Sequence, residues 1–348
     1  LQAALQQFAY SSEHILQRRS ALLHKWGAIA QSSLEATDQI LRRIPDAPLR
    51  HLLRGVPDHE PAQLGVTCHL VLYKLMLAAI NSVDQDLPHC LLSGFPIVGP
   101  ILRSGRWPPY EKAQSPVAVA LMQSRAWEIR KKIMARVQAV PITENLKKIW
   151  DATVEDVHEG SCIGPVFDQK DVSFLVGRDD WIPTQRFEVV QKNKVRGCDS
   201  ATTNLINQAT VITEKLQLPS TDSNVAALRK LRAMCPGSEL AGWVLDERKA
   251  YRQVPIRPDH RMFSVIALKE PASGKTAFFV MIGHSFGLVS AVYNYNRRSA
   301  AIKEFLVSIF GRVAFSFYDD KYGFEPAATV SCAREVAEKA HGWLVAKF

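Results

Sequence analysis

Trp243–Ile256, "WVLDERKAYRQVPI", and Phe315–Phe324, "FSFYDDKYGF", are the stretches whose reading decides the fold. Each is an apolar, strand-like run that ends on acid: Asp246 in the first, Asp319 with Asp320 in the second. Between them a strand pair is predicted, "MFSVIAL" and "TAFFVMI" around the turn "EPASGK", then a helix from about Leu288 to Phe310. A last helix is predicted from Pro326. Strand, long helix, hairpin and helix make the split βαβ order, which packs helices on one face of an antiparallel sheet and brings the acid-bearing strand ends side by side. Two adjacent carboxylates repel each other unless a cation lies near, so acids gathered this way predict one divalent-metal site.

Working outward, "RFEVV" and "KVRGCD" alternate with a two-residue period and are joined at Lys192-Asn193, which predicts a hairpin. A helix from Asn224 to Met234 precedes the strand into Asp246. Another is predicted after Thr143, a capping residue ahead of "ENLKKIWDATVEDVHEG", with Gly160 as its stop. Residues 1 to 140 are helix-rich by their 3.6-residue spacing, broken by the Pro/Gly segment from Gly94 to Pro109, and carry no recognisable chemistry. The expected class is α+β, with a helical N-terminal extension (1–140) ahead of an α+β unit (141–348).

The 348 residues are 47% hydrophobic, enough for one large core or two modest ones. Forty-three Lys and Arg against 34 Asp and Glu leave a net charge of +9, which suits a polyanionic partner such as nucleic acid or a nucleoside triphosphate. Cys68, Cys90, Cys162, Cys198, Cys235 and Cys332 lie far apart, which predicts neither a disulfide framework nor a structural zinc and fits a reducing, intracellular setting, nucleus or cytoplasm. "CHLVLYKLMLAAI" falls short of the roughly 20 residues a bilayer needs and contains Lys74, so a buried helix and no membrane partner are expected. The chain opens on Leu without a signal pattern, which predicts a non-secreted, internal piece of a longer polyprotein.

"LDERKAYRQVPI" followed by "RPDHRMF" resembles the first palm motif of reverse transcriptases, above all the retrotransposon form "LDLKDAYRQIPI". "FYDD", Phe317 to Asp320, resembles the third motif of that family, and "GHSFGLVSAVYNYNR" resembles the second, usually "PFGLxxAPxxFxR". Ser285 and Val292 stand where that motif has its two prolines. Upstream, "WIPTQRFEVVQKNKVRGCDSATTNLIN" is similar to the fingers segment "KVRPIDDxSxxN", with Gly197 in place of Pro and Ser200 in place of the second Asp. The motifs follow the family's order over about residues 160 to 348, and their wording looks most like retrotransposons of the DIRS type and related elements.

The resemblance implies the fingers and palm of a right-hand polymerase and RNA-directed DNA synthesis, a nucleotidyltransferase with two Mg2+ ions or, in their place, Mn2+. Asp246, Asp319 and Asp320 are then the catalytic metal ligands. Tyr251 is the steric gate against a 2′-hydroxyl, and Phe286 and Gly287 lie beside the nucleotide, with Arg297 closing the helix segment. Lys194 and Arg196 contact the triphosphate, where charge grows as pyrophosphate leaves, while Asp199 holds the hairpin or the arginine. Implied partners are an RNA or DNA template with its primer and deoxynucleoside triphosphates. A thumb, a ribonuclease H and a recombinase are implied as polyprotein neighbours outside this chain.

Two other readings come from the same residues. A decayed transposon copy that binds nucleic acid without polymerising would account for the absent thumb, Arg248, Lys249 and Ser285 at altered motif positions, and Lys321 directly after the acids. Gly283 to Gly287 also spell GxSxG, the nucleophile elbow of α/β-hydrolases, with Asp319 and His341 downstream in triad order, although the 63 residues that remain are few for that fold. "SGKT" at Ser273 to Thr276 reads as a hairpin turn rather than a phosphate loop, and His69, His89 and His284 lack a second ligand at metal spacing.

Overall fold

The acid-bearing runs form the strands of a small antiparallel sheet in the computed structural model, which describes residues 1–56, 59–60, 68–192 and 194–344. In chain order the helical first part holds α1 (Gln2–Gln6), α2 (Ser12–Arg42), α3 (Ala47–Arg54), α4 (Leu70–Ala79), α5 (Leu87–Ser93), the short strand β1 (Gly99–Pro100), α6 (Val119–Ser124) and α7 (Ala126–Ala139). Then come α8 (Glu144–His158), β2 (Cys162–Val166), α9 (Gln169–Val176), β3 (Pro183–Gln191), β4 (Lys194–Asp199), β5 (Thr210–Val211) and α10 (Thr221–Met234). The last part is β6 (Leu240–Asp246), β7 (Val265–Lys269), β8 (Thr276–Met281), α11 (Val289–Ser308), β9 (Ala314–Phe317), β10 (Asp320–Pro326) and α12 (Ala327–Trp343).

β6, β10 and β9 make a three-stranded sheet with β10 in the centre, antiparallel to both neighbours. β6 and β9 therefore run parallel with one strand between them and α11 in their connection, the split βαβ arrangement. The register puts Asp320 opposite Asp246. Trp243, Leu245 and Glu247 alternate inward from β6, while Val244 and Asp246 face out. α12 covers the inner face and α11 lies against β9.

The strand pair β7–β8 does not join this sheet. It enters a five-stranded one, ordered β2-β8-β7-β3-β4, in which β3 and β7 are parallel. Every residue of β8 is buried, as is β7 up to Leu268, the continuous burial of interior strands covered on both faces. α7 packs on β3 and β7, and α8 on β2, β3 and β4. The β3–β4 hairpin forms, with Lys192 at φ 52; Asn193, the other expected turn residue, lies outside the described residues.

Helix boundaries follow local chemistry. Thr143 caps α8 by accepting from the Leu146 amide at 3.1 Å. Ser220 and Ser223 form a capping box that starts α10 three residues before the predicted Asn224. α11 runs on past Arg297, which lies mid-helix and buried, paired with Asp84 at 2.5 Å, so it does not close the helix segment. "CHLVLYKLMLAAI" folds as α4, with Leu72, Tyr73, Met76 and Leu77 buried and Lys74 exposed. Among the described residues no helix is long and apolar enough to cross a membrane, and all six cysteines are free.

Residues on either side of position 140 share cores. Trp26, Leu72 and Tyr73 pack with Trp243, Phe305 and Trp343 under the small sheet, while Ile133 packs with Ile149, Val265 and Phe278 under the large one. Buried and half-buried ion pairs tie the same parts together. Glu325 of β10 accepts from Arg19 of α2 at 2.8 and 2.9 Å and from Arg312 at 2.9 Å, and Asp46, at the start of α3, receives Arg261 at 2.7 Å through both oxygens.

Candidate active site

A cleft of ≈ 520 Å³ opens between the two sheets, with Asp246, Asp319, Tyr251, Phe286 and Arg196 among its lining residues. β6 delivers Asp246 at its C-terminal end, and the β9–β10 turn delivers Asp319. The main chain joins the two directly: the Glu247 amide donates to the Asp319 carbonyl at 3.4 Å. Tyr318, at the tip, is held at φ 52, a left-handed conformation that a non-glycine residue occupies only when its surroundings impose it.

Asp320 is exposed and opens onto a neighbouring concavity with Val244, Phe317 and Tyr322 rather than onto the main cleft. Its carboxyl is nonetheless pushed up, by partial burial first and then by the negative charges of Asp319 and Asp246. Two of the three acids thus line the cleft and the third stands at its rim.

Among the described residues no group of three or more His, Cys, Asp or Glu side chains is arranged to hold a metal ion. A pair of carboxylates is still a sufficient protein contribution for magnesium, which keeps most of its water or takes substrate phosphate oxygens for its remaining positions. Asp246 and Asp319 fit that donor set, with Asp320 adding charge beside it.

Tyr251 sits where the two apolar cores meet, its ring 5.2 Å from Tyr295 and 5.9 Å from Phe286, centroid to centroid. Packing on two sides leaves the ring little rotamer freedom. Burial, and then the charge of Asp319 and Tyr318, push its hydroxyl up to about 12, so it remains neutral at physiological pH. Phe286 is about half exposed at the cleft wall, 48%.

The cationic hairpin divides. Arg196 lines the cleft, whereas Lys194 is absent from its lining; it lies on the same strand face two residues nearer the hairpin turn, roughly 7 Å further out at strand spacing. Asp199 holds the hairpin, gripping buried Arg186 on the opposite strand through both oxygens at 2.8 and 3.0 Å, and does not pair with Arg196. Gly287 is outside the cleft lining too. At φ +103 it runs against β4, where a Cβ would overlap the Asp199 carbonyl oxygen, so its lack of side chain serves backbone packing rather than approach to a nucleotide.

The residues that suggested decay are tied into ion pairs of the fold. Arg248 pairs with Glu155 of α8 and with Glu159 just past its end, both at 2.8 Å, and Lys249, at φ 50, pairs with Glu155, Asp156 and Glu159 at 3.0–3.2 Å. Lys321 turns away from the aspartates into the core, fully buried, with its ammonium 2.9 Å from Glu247. These partners were missed in the sequence because a charged residue beside an acidic site reads as solvated. The available signal was alternation: Glu247 falls on the Leu245 face of β6, and Lys321 falls on the Gly323 and Glu325 face of β10.

The GxSxG reading fails at the serine. Ser285 is buried and its hydroxyl has no hydrogen-bond partner, so among the described residues no base is in place to activate it. His284 bonds instead to the Val254 carbonyl at 2.8 Å and to Asn294 at 2.9 Å, and His341 approaches Glu247 at 4.0 Å. His69 is likewise a core residue, bonded to Thr37 and the Ala30 carbonyl, and His89 is exposed. The "SGKT" segment is the β7–β8 turn. In comparisons with known proteins, no family model and no curated protein matches the chain.

Proposed function

We propose that this chain is the fingers and palm of a reverse transcriptase, a magnesium-dependent RNA-directed DNA polymerase in which a primer 3′-hydroxyl attacks the α-phosphate of a deoxynucleoside triphosphate and pyrophosphate departs. The observation that carries the reading is that Asp246 and Asp319, far apart in sequence, line one cleft together with Tyr251, Phe286 and Arg196. Those residue types match what the reaction needs. Asp246 and Asp319 would hold the Mg2+ pair, or Mn2+, which when bound lowers the pKa of the attacking hydroxyl and neutralises the triphosphate.

The protein's own groups do the rest. Arg196 would offer a fixed cation to the phosphates from the fingers hairpin, with Lys194 further out along the path of the polyanion. Tyr251, wedged between Phe286 and Tyr295, would fill the space a ribose 2′-hydroxyl needs. Template choice would come from base pairing, so binding to template and primer should follow the backbone and weaken steeply with salt.

Primer extension on an RNA template with Mg2+, comparing the chain with Asp319→Asn, tests the reading. Extension by the first and none by the second is expected. Equal extension by both rejects the site, and salt-sensitive binding without extension by either would identify a non-catalytic nucleic-acid-binding remnant.

A further inference from the structure

Directly beneath the acids lies a second charge cluster that the proposed chemistry does not use. Lys321 Nζ, with no exposed surface, is 2.9 Å from Glu247 Oε1, 3.0 Å from the Tyr295 hydroxyl and 3.4 and 3.5 Å from the Asp319 and Tyr318 carbonyls. Glu247 in turn receives Arg298 at 3.1 Å, and Arg298 reaches Tyr73 of α4 at 3.3 Å and Gln253 at 3.2 Å. One ammonium thus touches the strand that carries Asp246, the helix behind it and the backbone of the turn that carries Asp319.

Such a pair is a poor choice for stability alone. Removing two ions from water costs about as much as their attraction returns, and matched apolar side chains in their place are often as stable or more so. Its position supplies another reason for it. Glu247 follows Asp246, Lys321 follows Asp320, and the ion contact spans β6 and β10 just below the carboxylates. Lys321 also gathers the two carbonyls of a turn whose tip is left-handed, fixing the direction in which Asp319 leaves the backbone.

We propose that Glu247 and Lys321 are positioning residues of the carboxylate site: the buried pair locks the Asp319 turn against the Asp246 strand and thereby sets how tightly the two aspartates hold a divalent cation. The inference rests on the metal-dependent reading of the cleft, and its test separates the two. Mn2+ alone is titrated into the full chain, with free ion read by its paramagnetic resonance signal. The Asp319→Asn variant identifies the portion bound at this site, and thermal melting reports folding.

Glu247→Leu combined with Lys321→Met removes both charges at similar volume. Because it also takes away the carboxylate that buried Arg298 reaches at 3.1 Å, it is expected to melt below the unaltered chain; at a temperature where it is folded it is expected to bind Mn2+ at the Asp319-dependent site about 10-fold or more weakly, and to lose kcat in primer extension by a similar factor with KM for the nucleotide within about twofold. A double variant that folds and retains both Mn2+ affinity and kcat overturns the positioning role. Should it fail to fold, Tyr295→Phe removes only a hydroxyl that Lys321 touches; weaker Mn2+ binding at unchanged melting supports the proposal, and unchanged binding overturns it. If the unaltered chain shows neither Asp319-dependent Mn2+ binding nor extension, the polymerase reading itself falls and takes this inference with it.

Discussion

Replacing Glu325 by glutamine should loosen the long N-terminal helix from the sheet beneath the carboxylate site. The carboxylate has no exposed surface and is saturated: Arg19 donates at 2.8 and 2.9 Å, Arg312 at 2.9 Å and the Thr329 hydroxyl at 3.0 Å. Glutamine keeps the shape, removes the charge and turns an amide N–H toward an arginine, leaving guanidiniums with 1% and 0% side-chain exposure without their counter-ion. Breaking a buried pair in this way costs about 3–5 kcal/mol. With 348 residues at about 2.1 cal/mol/K each, the unfolding entropy is about 0.7 kcal/mol/K, so Tm should fall by about 4–7 °C. Arg334→Ala, which breaks a pair exposed by 61% and 44%, is the control and should move Tm by less than about 1 °C. Calorimetry measures both, and hydrogen exchange locates the effect in α2 and β10. A Glu325→Gln protein that melts with the control refutes the view that this cluster holds α2 to the sheet.

Three further outcomes follow from the geometry. His284 is fully buried; the Val254 carbonyl can only accept, so Nδ1 carries the proton and Nε2 accepts from Asn294, and burial lowers the ring from its ordinary 6.5 to about 4. Because the unfolded chain takes up that proton first, stability should fall as pH drops from 6.5 toward 4 by about 3 kcal/mol for this ring; urea unfolding across that range, with a flatter profile for His284→Gln, checks it. Tyr251→Val should relax sugar selection, raising incorporation of ribonucleotides relative to deoxyribonucleotides by about 10–100-fold in single-nucleotide extension, and an unchanged ratio would remove Tyr251 from the gate. Gly287→Ala forces a Cβ into the Asp199 carbonyl at φ +103 and should cost about 1–3 kcal/mol or more, seen as a lower urea midpoint at unchanged slope.

The sequence made the acid-bearing strands legible because their inner faces are apolar and their ends are not: Trp243 and Leu245 alternate with exposed Val244 and Asp246 until the strand stops. The helix between them and the β3–β4 hairpin were legible for the same reason of period, and the β7–β8 hairpin as two apolar runs around the turn "EPASGK". Which strands share a sheet was not, because β7 and β8 are apolar on both faces and carry no sign of the sheet they enter. Depth was also invisible. Lys194 and Arg196 differ by one pleat, yet only Arg196 reaches the cleft, since that depends on where the hairpin crosses α8 and the β6 turn. The role of the first 140 residues was hidden because their links, Asp84 to Arg297, Asp46 to Arg261 and Arg19 to Glu325, join residues more than 200 positions apart and have no local pattern.

The pairing of Asp320 with Asp246 on adjacent strands makes the cleft intolerant of small changes in chain length. Because side chains alternate across a strand, inserting or deleting one residue within β6 would exchange the roles of neighbours, aiming Glu247 into solvent and Asp246 into the core beside Lys321. Length variation in such a chain should therefore be confined to connections such as the β7–β8 turn, where an added residue leaves both acids on their own side.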